Sequence, residues 1–415
     1  MLKLSKLNKL ITMMLSLLCL LILVGSVSAT DLTVNSDTSN KNIADWMDSD
    51  TTVSGSNLVF NVTSYELSDT LVVSKPINIK SDKNTQINFN KNTEMIHITA
   101  NTVNFSGLTL NHGGRGVYGN PAATILAPGT TAKTINIVDT SINLRGDYSV
   151  GVAIGNGRLS FINSHIRGNG IYNYGVVAND ITVNFQRSSI VLNKNYGSGV
   201  LAYTKLAGDF TNTRINLQSS SMGIFAPQWT GRFINGEITG KANSYGINAN
   251  RWNGQVSGSR IILSGTNSEG IFSRNSKGTI SRSTIHVRNG RAVAVSGNVK
   301  VSGSSAISKK GTPGVYYFGP RMHVLRVSTT TKSKIYTFRI TNVGESKSRV
   351  SKLSITSGKF KRTVNVKSVN AGRTITLRVT LPSKFATTQT RKAARIFFRN
   401  SAGLKEPSNT LNFRF

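Results

Sequence analysis

The chain has 415 residues, with 50 Lys or Arg against 17 Asp or Glu and a formal net charge of +33. A single cysteine excludes a disulfide-held scaffold, and no window sustains the 3.6-residue apolar spacing of a helical bundle. A chain of this length, rich in Gly, Ser, Thr and Asn, calls for two or three units of short strands and turns.

Residues 1–29 read as a secretory signal peptide. Lys3, Lys6 and Lys9 precede an apolar run from Ile11 to Val24, and the small residues Val27-Ser28-Ala29 mark the expected cut. The alternative is an uncut anchor, but that run has 14 residues, short of the ~20 that cross a hydrocarbon core. Cys19 leaves with the leader, so hydrogen bonding and apolar stacking must hold the mature fold. No later stretch is apolar enough to span a membrane.

Residues 30–54, with Trp46 and Met47 in a short amphipathic stretch, are expected to cap the open end of a stacked repeat region. An open end would offer unpaired backbone groups. Residues 55–310 are assigned to a right-handed parallel β-helix, irregular as far as Leu110 and then clearly periodic. The pairs Ile137/Ile142, Phe161/Ile166, Phe185/Ile190, Phe210/Ile215, Phe233/Ile238, Val256/Ile261 and Ile280/Ile285 recur at steps of 24, 24, 25, 23, 23 and 24 residues. Phe105/Leu110 is an earlier copy, separated from Ile137 by an insertion within His112–Gly129. One period of two or three short strands cannot bury its apolar face until neighbours stack. Phe161, Phe185, Phe210 and Phe233 are therefore expected to form one internal column, and the isoleucines another. Asn163, Asn212 and Asn235 recur at the intervening turn. They read either as a short inward ladder, interrupted by Arg187 and Arg282, or as solvated turn residues tolerant of left-handed backbone.

Residues 311–320 read as a linker around Pro313, and residues 321–415 as a basic immunoglobulin-like β-sandwich of about seven alternating strands. Tyr336, Phe338, Ile340, Ile396 and Phe398 are its expected core. From 311 onward 21 Lys or Arg face only Glu345 and Glu406. Charge this one-sided favours an anionic partner such as an envelope or cell-wall polymer. Specific nucleic-acid binding is not expected: the chain is exported and shows no zinc-finger or helix-turn-helix pattern.

Catalytic signals are weak. Asp180, Asp209 and Glu237 fall at different offsets within the period, so they need not share a face. The five histidines, His97, His112, His165, His286 and His323, keep no metal-ligand spacing, and turn or surface roles are expected for them. Gly113-Gly-Arg-Gly116 lacks the Lys-Ser of a phosphate loop, and no metal or cofactor is expected. Tyr172, Tyr174, Tyr196, Tyr203, Trp229, Tyr245 and Trp252 cluster in the middle repeats instead. Aromatics among Arg and Asn suit sugars, which stack on one face and hydrogen-bond at the edge, although such rings also simply cover a rod. Asn61-Val-Thr63 and Asn104-Phe-Ser106 match N-glycosylation acceptors.

Taken with the repeats, the tail segments from Tyr336, from Val366 and from Phe398 to Phe413 resemble the adhesin-like surface proteins of methanogenic archaea. In that family pectin lyase-like β-helix repeats precede an immunoglobulin-like or CARDB-like domain. The resemblance implies a secreted, cell-surface or cell-wall location and a non-enzymatic adhesive or structural role. Its implied partners are a wall or envelope polymer, an extracellular glycan and neighbouring surface proteins. It brings no binding residue with it. The rival expectation is a polysaccharide lyase or hydrolase acting on an acidic glycan, which requires acidic and basic groups gathered on one face of the coils.

Overall fold

The computed structural model describes residues 30–310, 314–319, 321–330, 335–344, 346–358, 360–382, 392–399, 405–406 and 410–413. The expected leader and most of the turn around Pro313 lie outside the described residues, as do the side chains of Ile396 and Phe398.

The fold is nearly all β. One sheet of 26 strands winds as a parallel solenoid, beginning with Leu32–Val34 paired to Asn57–Phe60 and ending with Val315–Tyr317. The first strand thus lies inside the stretch expected to be a cap, and the last inside the expected linker. Each regular coil has three faces. In Ser149–Ile162 the first half pairs with Ala122–Ala127, and the second, after a bend, with Lys133–Val138. The short strand His165–Gly168 supplies the third face, between Ser141–Leu144 and Ser189–Leu192. Between His112 and Ala122, residues 113–121 form the insertion, whose Val117–Asn120 bridge closes a small hairpin.

Stacking in register sets residue choice. On the second face Ile137, Phe161, Phe185, Phe210, Phe233, Val256 and Ile280 lie directly over one another. The Phe161–Phe185 and Phe185–Phe210 ring centroids are both 5.1 Å apart, and Phe210–Phe233 6.2 Å. Ile142, Ile166, Ile190, Ile215, Ile238, Ile261 and Ile285 make the column of the third face. All of these side chains are buried. Full burial of one such group is worth about 1.5–3 kcal/mol.

The turn between these columns corrects the inward asparagine reading. Asp139, Asn163, Arg187, Asn212, Asn235 and Arg282 all hold left-handed backbone, with φ between 47 and 51°. That conformation throws the side chain outward: Asn212 and Asn235 are exposed and Asn163 is half-buried. The inward polar column is one residue later, at Thr140, Ser164, Ser188, Thr213, Ser259 and Ser283. Ser164 Oγ accepts from the Thr140 amide at 3.1 Å, and Ser188 Oγ from the Ser164 amide at 3.2 Å. The pattern repeats at Ser259 and Ser283. The four serine hydroxyls each pair an amide that the turn would otherwise leave orphaned inside the rod, while Thr140 and Thr213 donate to carbonyls.

Two further ladders run outside. Asn136, Asn104, Asn78 and Asn57 each donate a side-chain N–H to the residue one coil earlier, and the file ends on Asp31. Asn143, Asn111 and Asn88 do the same, ending on Glu66. Asn104 is thereby engaged on both sides, whereas Asn61, the other glycosylation match, sits in an exposed turn. At the amino-terminal end helix α1 (Asn40–Asp48) starts at a capping box formed by Ser39 and Asn42, and it buries Ile43 and Met47 in the solenoid core.

Among the described residues the tail has two antiparallel sheets. Met322–Thr330, Ile335–Asn342 and Thr374–Thr380 form one; Phe360–Val366, Ser351–Ser357 and Lys392–Arg399 lead the other. Met322, Val324, Tyr336, Phe338, Ile340 and Val379 of the first pack with Leu353, Ile355, Val366 and Ala394 of the second. Arg321 ties this unit to the last coils. Its guanidinium lies 3.7 Å from the Tyr317 ring centroid and donates to Gly297 O and Val299 O, each at 3.3 Å. Its Nε also donates to His323 Nε2 at 3.3 Å. Burial, with Arg321 beside it, lowers the His323 imidazole to about 4.

Truncation of Phe185 to Ala should cost about 3–5 kcal/mol, read as a lower urea midpoint, because two stacked neighbours lose their contact. Ser188→Ala strands the Ser164 amide and should cost about 1–3 kcal/mol, whereas Asn212→Gly, which removes an outward side chain and keeps the left-handed turn, should cost less. His323 binds its proton more weakly folded than unfolded. Stability from this group is therefore full above about pH 6.5 and lost as pH falls towards about 4. Thermal melts between pH 4 and 7 should show that slope, and His323→Gln should flatten it.

Candidate functional site

Register on the first face lines up the outward residues as rows along the rod. Val150, Tyr174, Ser198, Met222, Tyr245, Glu269 and Arg291 form one. Ala153, Val177, Leu201 and Phe225 form the next, an apolar strip. At the adjoining corner Tyr148, Tyr172 and Tyr196 hold left-handed backbone, with φ of 49, 54 and 65°. Their side chains therefore point outward and stack: centroids lie 4.7 Å apart for Tyr148–Tyr172 and 4.8 Å for Tyr172–Tyr196, nearly parallel. Successive coils sit about 4.8 Å apart, so the rings repeat at the spacing of the backbone itself.

Tyr174 is the centre of this group. Its phenol is pushed up first by burial and then by the neighbouring Tyr203, Tyr172, Tyr118 and Tyr148. Tyr203 projects where the register slips between Leu201 and Lys205, and Tyr118 comes from the tip of the insertion. Tyr118 is 88% exposed, Tyr203 60% and Tyr196 47%. Tyr172 has a ring on either side, so a ligand would meet the ends of the stack, Tyr203, and the phenol edges. Planar apolar surface beside hydroxyl groups is what a sugar ring requires.

Four of the seven aromatics expected to form a site, Tyr172, Tyr174, Tyr196 and Tyr203, come together here. Tyr118 and Tyr148 belong with them and were missed, although Tyr148 stands one period before Tyr172. Tyr245 shares the row of Tyr174 but lies three coils further on. Trp229 and Trp252 must be corrected. Both are fully buried, stacked on each other at 6.0 Å, and they continue the inward column of Ile181 and Leu206. Neither can touch a ligand.

The carboxylates do not assemble. Asp180 lies opposite Asn156 and Lys205 on the outward row past the apolar strip. Asp209 lies on the second face, where Arg232 Nε donates to it at 3.0 Å. Glu237 lies on the third, 3.1 Å from Arg214 and 3.7 Å from Arg260. The last two acids thus bridge coils. Among the described residues no group of three or more His, Cys, Asp or Glu could hold a metal ion. His97 meets Glu94 at 3.0 Å and His165 meets Ser189 at 2.9 Å, while His286 stands on the third face opposite Ile262. His112 departs from the expected surface role: it is wholly buried against Phe89, because its position pairs with Phe89 and Leu144 in an inward column.

On the tail, Arg326 stands directly opposite Arg339, and Arg378 lies on the third strand of the same sheet opposite Thr337. All three are exposed. None has a carboxylate within 4 Å among the described residues. Like charges facing across strands are destabilising unless something neutralises them. Among the described residues no helix is long and apolar enough to cross a membrane.

No protein-family model matches the chain, and none of the curated proteins matches it either. Among solved structures it is similar to a tailspike protein mutant of E. coli bacteriophage HK620 in complex with a pentasaccharide. Identity is 9% and the TM-score 0.30, over 84% of this chain and 90% of that one. So loose an overlap transfers no residue role.

Proposed function

We propose that this is a non-enzymatic, cell-surface or envelope protein whose rod binds glycan through its tyrosine-rich face. One observation carries the reading: Tyr118, Tyr148, Tyr172, Tyr174 and Tyr203 converge on a few adjoining coils, beside the apolar strip of Val177, Leu201 and Phe225. Exposed rings gathered over apolar backing are costly in water, and a sugar face would cover them. The basic tail is the second half of the proposal. Its arginine-bearing sheet, with Arg326, Arg339 and Arg378, suits contact with an anionic envelope polymer that relieves their repulsion. A secreted location follows from the leader-like first 29 residues, and neighbouring surface proteins remain natural partners for a rod. The rival lyase or hydrolase needs acidic and basic groups gathered on one face of the coils, and the hydrolase two carboxylates across one bond. Asp209 and Glu237, engaged with arginines on different faces, give it no support.

The test is a glycan array with the full chain, repeated with Tyr203→Ala and Tyr196→Ala. Loss of one stacking ring, worth about 0.5–1.5 kcal/mol, should weaken binding roughly 2- to 10-fold, with the melting temperature unchanged for Tyr203→Ala and slightly lowered for Tyr196→Ala, which also loses its stack on Tyr172. Unaltered array signals from both variants would remove the tyrosine face from the binding surface. Release of reducing ends or unsaturated products from any bound glycan would replace binding with catalysis.

A further inference from the structure

Beyond the tyrosines the corner column changes from rings to Ser220, Asn243 and Asn267, still in left-handed backbone. At the last of these, Asn267, and at Gly290 on the next coil, the rod carries a cavity of about 470 Å³. Its lining includes Tyr245, Asn267, Glu269, Asn289, Arg291 and Lys309. That volume is in the range of small-ligand sites.

The chemistry of the lining is unlike the rest of the rod. Three consecutive coils set a phenol, a carboxyl and a guanidinium in one column: Tyr245, Glu269 and Arg291. Glu269 is only 16% exposed, and its Oε1 lies 3.7 Å from Arg291 Nη1. Burial pushes its carboxyl up, while Arg291 and Arg274 pull it down. The guanidinium of Arg291 also lies over the Tyr316 ring, 4.6 Å from its centroid, and is thereby fixed in direction. Lys309 is held at the rim, its backbone N–H bonded to Gly290 O at 3.1 Å. No carboxylate lies within 4 Å of its side chain among the described residues. The cavity therefore offers two cations against one carboxylate, with two amides and an aromatic wall. A neutral sugar would leave the excess positive charge unanswered, and a bare anion would leave the amides and the Tyr245 wall unused.

We infer that this cavity binds a carboxylate-bearing sugar unit of a glycan, its carboxylate between Arg291 and Lys309 and its hydroxyls at Glu269, Asn267 and Asn289. The site is separate from the tyrosine cluster and stands or falls without it. Calorimetry on the full chain at physiological salt, with trigalacturonate, galactotriose and sodium acetate as probes, tests the assignment. Trigalacturonate should saturate one site, with galactotriose at least about tenfold weaker, and Lys309→Ala should weaken the acidic trimer about tenfold. Arg291→Met should do so as well; if it unfolds, exposed Lys309 carries the test. Tyr203→Ala should leave binding of the acidic trimer unchanged, which separates this site from the tyrosine face. Equal affinity for galactotriose overturns the inference, as does acetate competing as well as the trimer. Trigalacturonate binding that ignores both cation variants also overturns it, and would assign the acid to the basic tail.

Discussion

Everything in this molecule depends on parallel register from one coil to the next. A residue's neighbours in space are those about 24 positions away, so a side chain must suit its counterparts above and below as well as its own strand. Inward positions then sort into columns of like character: phenylalanine flanked by aliphatic residues on the second face, isoleucine on the third, hydroxyls at the turn between them. The same rule acts outside, where asparagine stacks on asparagine, tyrosine on tyrosine and acid on arginine. A coil has no core of its own; its stability is an interface energy shared with two neighbours.

Register also explains which parts of the fold are legible in the chain. The phenylalanine and isoleucine columns were legible because inward positions admit only apolar groups of similar shape, and their period survives every change at the surface. Trp229 and Trp252 were misread as surface rings because they stand among polar neighbours. Two-residue alternation would have corrected this, since Trp229 is in phase with Phe233 and Trp252 with Val256, with a glycine between each pair. The hydroxyl column was also present, three residues after the head of every repeat except that of Phe233, where Gly236 stands. It was hidden by the more conspicuous asparagine beside it, which the left-handed turn directs outward.

The tyrosine group was only partly legible. Tyr172 and Tyr196 reveal a period, but Tyr118 joins them through the insertion, whose course no repeat dictates, and Tyr203 through a slip in register. Charge was legible in amount and not in arrangement. Asp209 and Glu237 of the rod are taken up in bridges between coils. Glu269 is likewise paired with an arginine of the next coil, and it is the most buried of these paired carboxylates.

The outer asparagine files have a sense of direction. From Asn136 to Asn57 every amide hydrogen points towards the amino-terminal coil, so the group dipoles add along the rod. The positive end of that sum arrives at Asp31, whose carboxyl is held below its usual range by the Asn57 side chain and amide. Such a file polarises itself, each link strengthening the next by about 10–30%. The solenoid thus carries a small permanent electric moment in side chains along its strands, anchored on a carboxylate at the amino-terminal end.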